Sequence, residues 1–366
     1  YGLFKEAGNS GTAAAVIKNL TLENAVINDT LTSDSGKLGL LVSYTSDKLT
    51  IEDCYVTGSI TTTSKPYMNV GGLVGQANGA DVTISRCYAG VTFIGGNSNS
   101  TFGGLVGSCE SGTIKDCYAI PDMSGVTAGY RSGITSGSNN NPAKIINCYT
   151  AGESLNGAGI ARNTATVSSS VSIFPEMRGS ARIFVNNNNV TGSNNYGFDG
   201  TIQRNSDGIV TPPAEQFAAG QAQGADATAT QLKSFSFYKD TLGWSENIWE
   251  IRSGYDFPVL KGQKAVPTLA LNLTPSVVSV TLDKNSATLP CVSTLQLTAT
   301  VDVKNGGSQT VQWHSSNPSM AVVDGSGKVT IPANAASGEV KITATATADV
   351  SKIAICTVNV DAGSYT

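Results

Sequence analysis

The chain predicts an all-β protein in which a solenoid of stacked parallel coils precedes a β-sandwich. Three observations lead there. Only 14% of the residues are charged while glycine alone supplies 40 of 366, a bias toward turn-rich β structure. Two short phrases recur at a near-constant period through the first 160 residues. After residue 274 the chain breaks into short alternating segments separated by turn residues. The expected division is a solenoid with a C-terminal cap over 1–262, a linker over 263–273 and the sandwich over 274–366.

The first phrase, Gly-Gly-Leu-Val-Gly, stands at Gly71 to Gly75 and Gly103 to Gly107, with weaker copies at Gly2-Leu3-Phe4, Gly39 to Ser43, Gly133-Ile134 and Gly159-Ile160. The second, Ile-x-x-Cys-Tyr, stands at Ile51/Cys54/Tyr55, Ile84/Cys87/Tyr88, Ile114/Cys117/Tyr118 and Ile145/Cys148/Tyr149, after a cysteine-free copy at Ile17/Leu20. Successive isoleucines are 34, 33, 30 and 31 residues apart. One unit is therefore stacked repeatedly, with its length variation in loops. The apolar segments are too short for paired helices, and such a unit hides its apolar side only against its neighbours.

An odd spacing between Ile51 and Cys54 would put them on opposite faces of an unbroken strand, so a bend is expected at the residue before each cysteine. The bend turns Cys54, Cys87, Cys117 and Cys148 inward, together with Val56, Ala89, Ala119 and Thr150. It turns Tyr55, Tyr88, Tyr118 and Tyr149 outward. From Ser170 the pattern loosens, and the Pro-, Ala- and Gln-rich stretch 205–230 reads as a long loop. Aromatic residues then return around Trp244 and Trp249, which suits an apolar plug over the last coil. Residues 262–267 read as a hinge.

The two phrases resemble the GLUG repeat family of bacterial surface proteins over roughly residues 1–262, most strongly between 36 and 160. The resemblance implies a right-handed parallel β-helix, an adhesin-like or structural role and no catalytic residue to transfer. Departures at 132–136 and 156–161 leave the number of coils open. Residues 274–361 resemble group 2 bacterial Ig-like domains through Val280-Thr-Leu-Asp, Leu295-Gln-Leu-Thr-Ala-Thr-Val301, Val311-Gln-Trp-His-Ser-Ser-Asn317, Val322-Val-Asp-Gly-Ser-Gly-Lys-Val329 and Ile342-Thr-Ala-Thr. That likeness implies an Ig-like β-sandwich serving as a spacer or adhesive module on exported proteins. Trp313 is placed for its core.

The chemistry points away from catalysis. The single histidine, His314, beside Trp313, leaves no raw material for a multi-histidine metal site or a histidine base in the solenoid. No cofactor or metal is expected. The residues before the cysteines, Asn19, Asp53, Arg86, Asp116 and Asn147, would stack about 4.8 Å apart. A charge ladder with Arg86 between Asp53 and Asp116 is favoured over a pair of catalytic carboxylates.

The four tyrosines pack along the coils or offer a stripe to sugar rings or a protein. The first reading is favoured, and the binding hypothesis uses Tyr55, Tyr88, Tyr118 and Tyr149 as its ligand face. The recurrent cysteines form a buried stack of reduced thiols, since in-register side chains do not adopt the disulfide torsion. Cys291 and Cys356, near the first and last strands of the sandwich, are the candidate disulfide, and Cys109 has no assigned role.

A net charge of −4 without basic runs excludes a nucleic-acid partner, and no apolar run is long enough to span a bilayer. The start lacks the shape of a signal peptide, so a mature or trimmed chain is expected. The ranked functions are an extracellular or cell-surface adhesin or scaffold whose partner is a host or bacterial surface protein or glycan, then a carbohydrate-binding protein, then a β-helix enzyme acting on polysaccharide. The leading reading is not an enzyme.

Overall fold

A computed structural model describes residues 2–8, 13–30, 36–63, 66–127, 129–136, 141–163, 165–178, 181–184, 190–264, 269 and 271–363. The chain divides into two units, Tyr1–Leu273 and Thr274–Thr366.

The first unit is a parallel β-helix. One sheet holds Ala15–Lys18, Leu49–Glu52, Val82–Ser85, Thr113–Lys115, Ala143–Ile146, Ala165–Ser168 and Val190–Ser193 in chain order; we call it the isoleucine sheet. The tyrosine sheet holds eight strands, Thr21–Asn28, Tyr55–Thr61, Tyr88–Gly95, Tyr118–Val126, Tyr149–Ala151, Val171–Ile173, Tyr196–Phe198 and Ala225–Ala227. We number the coils 1 to 8 by these strands. The glycine phrases build two further sheets, Lys37–Gly39 to Tyr130–Ser132 and Phe4–Glu6 to Val106–Glu110. From coil 6 another sheet, starting at Ser154–Leu155, takes over and ends in the antiparallel pair Ile202–Asn205 and Gly208–Val210.

Each phrase is explained by what a coil needs at that point. The residue before the inward side chain adopts a left-handed backbone in every coil from 1 to 7: Asn19, Asp53, Arg86, Asp116, Asn147, Ser169 and Asn194 have φ between 47° and 55°. Asn and Asp tolerate this region better than other non-glycine residues. That bend joins the isoleucine and tyrosine sheets and puts Ile51, Cys54 and Val56 into one core.

The glycine of the first phrase faces the second. A Cβ on Gly104 would lie 2.0 Å from the Gly133 carbonyl oxygen and 2.9 Å from Ala119 Cβ. A side chain there would therefore push coils 4 and 5 apart.

The coils continue past the expected loosening at Ser170. Ile145 aligns with Val167 and then Gly192, 22 and 25 residues apart, so coils 6 and 7 are shortened rather than lost. The stretch 205–230, expected as a loop, contains the Gly208–Val210 hairpin strand and the final strand Ala225–Ala227.

The second unit is an Ig-like sandwich. It consists of a four-stranded sheet (Ser286–Pro290, Ile353–Asp361, Gly338–Ala346, Val311–Ser315), a pair (Ser276–Leu282, Ala299–Lys304) and a three-stranded sheet (Thr294–Gln296, Lys328–Thr330, Val322–Val323). Val329, Ile342, Cys356 and Val358 are buried at its centre.

The expected linker 263–273 differs from a free tether at both ends. Gln263, Leu271 and Leu273 are each 2% exposed and belong to the first unit, while 265–268 and 270 lie outside the described residues.

Candidate functional site

The inward turn position carries a ladder of polar atoms. Cys54, Cys87, Cys117 and Cys148 are fully buried, and each thiol donates to the carbonyl two residues earlier, at 3.1 to 3.3 Å. The Cys87 N–H in turn donates to Cys117 Sγ, the Cys148 N–H to Ser170 Oγ and the Ser170 N–H to Asn195 Oδ1. The bend leaves that amide outside the strand ladder, and the next coil supplies its acceptor. Any small side chain with an acceptor satisfies the need, which is why Ser170 and Asn195 continue the cysteine stack.

All seven cysteines are free thiols. Burial pushes the Cys87 and Cys117 thiols well above the ordinary range and Cys109 up to about 12, so none of these three forms a thiolate nucleophile near neutrality. Six cysteines are buried and Cys291 is half-buried. Ellman's reagent should therefore modify at most one thiol in the folded protein and seven after denaturation.

The candidate Cys291–Cys356 disulfide is overturned by strand register. The two strands are neighbours, but Ser286 pairs with Thr357 in parallel, which places Asn285 beside Cys356 and Cys291 six residues farther on. The separation is about 20 Å at 3.3 Å per residue, far beyond disulfide reach.

The outward ladder before the cysteines differs from the expected sandwich of Arg86 between two aspartates. The Arg86 guanidinium grips Asp53 through two hydrogen bonds of 2.8 Å, and its other carboxylate partner is Glu52, which also binds Lys18. Asp116 accepts instead from Asn147, at 3.1 Å. Lys18 and Arg86 hold the Glu52 carboxyl below its usual range. These carboxylates are engaged by neighbours of the same ladder.

The tyrosine stripe requires the main correction. Tyr55, Tyr88, Tyr118 and Tyr149 do leave the tube, but they are 8%, 1%, 1% and 2% exposed. They are buried in a second apolar cluster, between the tyrosine sheet and residues contributed by 229–273.

Trp244 and Trp249 belong to this cluster and pack against the tyrosines on the side of the solenoid, correcting the expected end plug. Neighbouring ring centroids are 4.4 Å apart for Tyr88–Tyr118, 4.8 Å for Tyr118–Tyr149, 6.0 Å for Tyr149–Trp249 and 4.6 Å for Trp244–Trp249. Hydrogen bonds of 2.8 Å fasten the cover at three levels: Trp244 Nε1 to the Ser169 carbonyl, Tyr149 Oη to the Pro258 carbonyl and Tyr118 Oη to Gln263 Oε1. A narrow cleft lined by Tyr118, Tyr149, Tyr255, Asp256 and Phe257 remains beside it, with Asp256 bound to Lys233. A stripe so covered offers no ring face to a sugar.

Burial raises the phenol of Tyr55 to about 12 and also raises those of Tyr88, Tyr118 and Tyr149. Their folded values exceed the unfolded value near 10, so the native state holds its protons where the unfolded state releases them. The stabilisation is complete below pH 10 and is lost as pH rises through the folded values. Absorbance at 295 nm should show these phenols ionising together, in one steep alkaline step that coincides with loss of the cover.

Arg182 was not singled out by the sequence reading. It is 2% exposed. Its guanidinium donates to the carbonyls of Gln223 (2.9 Å), Phe198 (2.9 Å) and Gly224 (3.1 Å), pairs with Asp226 at 2.8 Å and stacks 4.8 Å over Phe217. It occupies the place of the phrase glycine: Gly159 N–H bonds to Ala181 and Ile160 N–H to Ile183. The facing residue is now Gly197, where a Cβ would lie 2.7 Å from Arg182 Nε. Glycine and larger residue have thus changed sides of the core, a signal visible in the sequence only once the two phrases are aligned coil by coil.

In the second unit Trp313 is half-buried and packs on the turn glycine Gly327 (φ 84°), whose Cβ would meet its ring at 2.7 Å. His314 is exposed on the outer side of the same strand.

The match to a protein-family profile agrees with the fold of the second unit. Residues 276–358 match the profile of the bacterial Ig-like domain, group 2, a domain typical of extracellular or surface proteins. Among solved structures, the chain is similar to a Bacteroides ovatus protein described as an immunoglobulin A1 protease. That match has 17% identity and a TM-score of 0.46, and covers 68% of this chain and 75% of the other. No curated protein matches the chain. Among the described residues no helix is long and apolar enough to cross a membrane.

Proposed function

We propose that this chain is a non-enzymatic, surface-displayed scaffold of adhesin-like type, in which a β-helical body is carried with a bacterial Ig-like domain. One observation carries the reading: eight coils share a continuous core, and their one aromatic face is spent on holding the chain's own cover. A rigid body needs such a core, and the matched Ig-like domain, of a kind typical of extracellular or surface proteins, supports surface display. The carbohydrate-binding alternative loses the ring faces it relied on. The polysaccharide enzyme is disfavoured because Asp53 and Glu52 are gripped by Arg86 and Asp116 by Asn147.

Antibody labelling of intact cells, followed by binding of the purified chain to glycan and extracellular-matrix arrays, tests the proposal. Surface labelling with saturable binding and no polysaccharide turnover is expected. Release of reducing ends from a polysaccharide, abolished by Asp53→Asn or Asp116→Asn, would overturn it.

A further inference from the structure

The chain leaves the first unit through its cover, and the cover runs backwards along the solenoid. After the coil 8 strand Ala225–Ala227, the polypeptide returns over the tyrosine face. The Thr241 carbonyl accepts from Asn194 Nδ2 at coil 7, Trp244 donates to Ser169 at coil 6, Tyr149 of coil 5 donates to Pro258, and Tyr118 of coil 4 donates to Gln263. Each fastening therefore lies one coil nearer coil 1 than the fastening before it in the chain. Leu269, Leu271 and Leu273 join the same apolar cluster, and the second unit begins at the next residue, Thr274.

This path decides how a load is carried. Tension between the early coils and the second unit draws Leu273 away from coil 1 and folds the cover back on itself. Its fastenings are then loaded one after another, beginning at Gln263, and at each level one hydrogen bond and the side chains around it bear the whole force. The coils are held differently. Four parallel ladders join coil 2 to coil 3, so a pull along the stack is shared by all of them at once. In the second unit Ser286–Pro290 pairs in parallel with Thr357–Asp361, so tension between the ends of that unit slides the two strands along each other and loads their ladder together.

We propose that the cover is a force-released strap: tension across the chain peels it from the tyrosine sheet, level by level, while the coils and the Ig-like domain stay folded. It is the least stable cooperative unit along the line of load, because its contacts yield in series and the others yield only together. Such a strap has a use only where the chain is displayed and load reaches it, as the preceding reading holds. There it lengthens a tethered body without unfolding it and bares the tyrosine ladder only under tension.

Optical-tweezers stretching of the 366-residue chain tests the strap itself, whereas cell labelling tests display, so the two can fail separately. One handle is attached at Lys48→Cys, on coil 2 and half exposed, in a Cys291→Ser background that removes the one half-buried thiol. The other is a tag at the C-terminus. The first transition should add at least about 12 nm, the extended length of residues 229–264, and should reverse on relaxation. Tyr118→Phe and Tyr149→Phe each remove one fastening hydroxyl and keep the ring, so each should shorten the lifetime of the covered state at constant force about fivefold. With handles at Lys48→Cys and Asp207→Cys, both before the cover in the chain, that transition should be absent. A first transition that persists with the Asp207 handle, or whose lifetime is the same in both phenylalanine variants as in the parent, overturns the proposal.

Discussion

Replacing Trp249 by alanine is expected to destabilise the first unit by about 3–5 kcal/mol, the usual range for truncating a large buried aromatic. Trp249 is fully buried and contacts Tyr118, Tyr149 and Trp244, with ring centroids 4.6 to 6.1 Å away. The loss combines the transfer of the indole with a cavity between two rigid surfaces, and neither can collapse freely, since one is a hydrogen-bonded sheet.

Among the described residues, Nε1 of Trp249 has no hydrogen-bond partner. Trp249→Phe therefore removes an unpaired polar atom as well as volume, and should cost clearly less than Trp249→Ala. Urea unfolding followed by far-UV circular dichroism and by tyrosine absorbance checks both. In the alanine variant the absorbance transition should precede the dichroism transition, because the cover detaches before the coils. An alanine variant within about 1 kcal/mol of the parent would mean that the cover is not anchored by its indoles.

The second large effect belongs to Arg182. Arg182→Ala strands the carbonyls of Gln223, Phe198 and Gly224 in the last coils, and an uncompensated buried polar network of this kind costs about 3–5 kcal/mol. Its partner Asp226 is 58% exposed, so the ion pair contributes less than the carbonyl bonds do. Arg182→Lys keeps the charge but loses the planar fork that reaches several carbonyls at once, and should recover less than half of the loss. Asp226→Asn should cost under about 1 kcal/mol. Equal losses for Asp226→Asn and Arg182→Ala would show that the ion pair, not the carbonyl network, is what matters. Thermal unfolding of the three variants separates the cases.

The legibility of this protein in its sequence follows the range of the interactions. The coil repeat was readable because each phrase answers a need within one coil and its neighbour: a left-handed bend before Cys54, Cys87, Cys117 and Cys148, and a glycine where two coils touch. The inward direction of the cysteines followed from the same bend. Coils 6 and 7 were obscured because the residue type changed while the requirement did not: Ser170 and Asn195 accept the same amide hydrogen bond that Cys117 accepts.

The tyrosine face needed information from 75 to 145 residues away. Alternation correctly sends Tyr118 and Tyr149 out of the tube, but only the return of Trp244, Pro258 and Gln263 along that face decides that out of the tube is not out into water. The candidate disulfide failed for a similar reason. Neighbouring strands bring cysteines together only in the right register, and the pairing of Ser286 with Thr357 is not encoded near Cys291 or Cys356.

The aromatic ladder is an internal seam of the first unit rather than a ligand face. Tyrosine nitration of the native protein by tetranitromethane, mapped by mass spectrometry, tests it directly. Tyr67 and Tyr130, at 65% and 41% exposure, should be modified readily, while Tyr88, Tyr118 and Tyr149 remain untouched until the protein is unfolded. Nitration of the three ladder tyrosines at the rate of Tyr67 would contradict their burial and return that face to solvent.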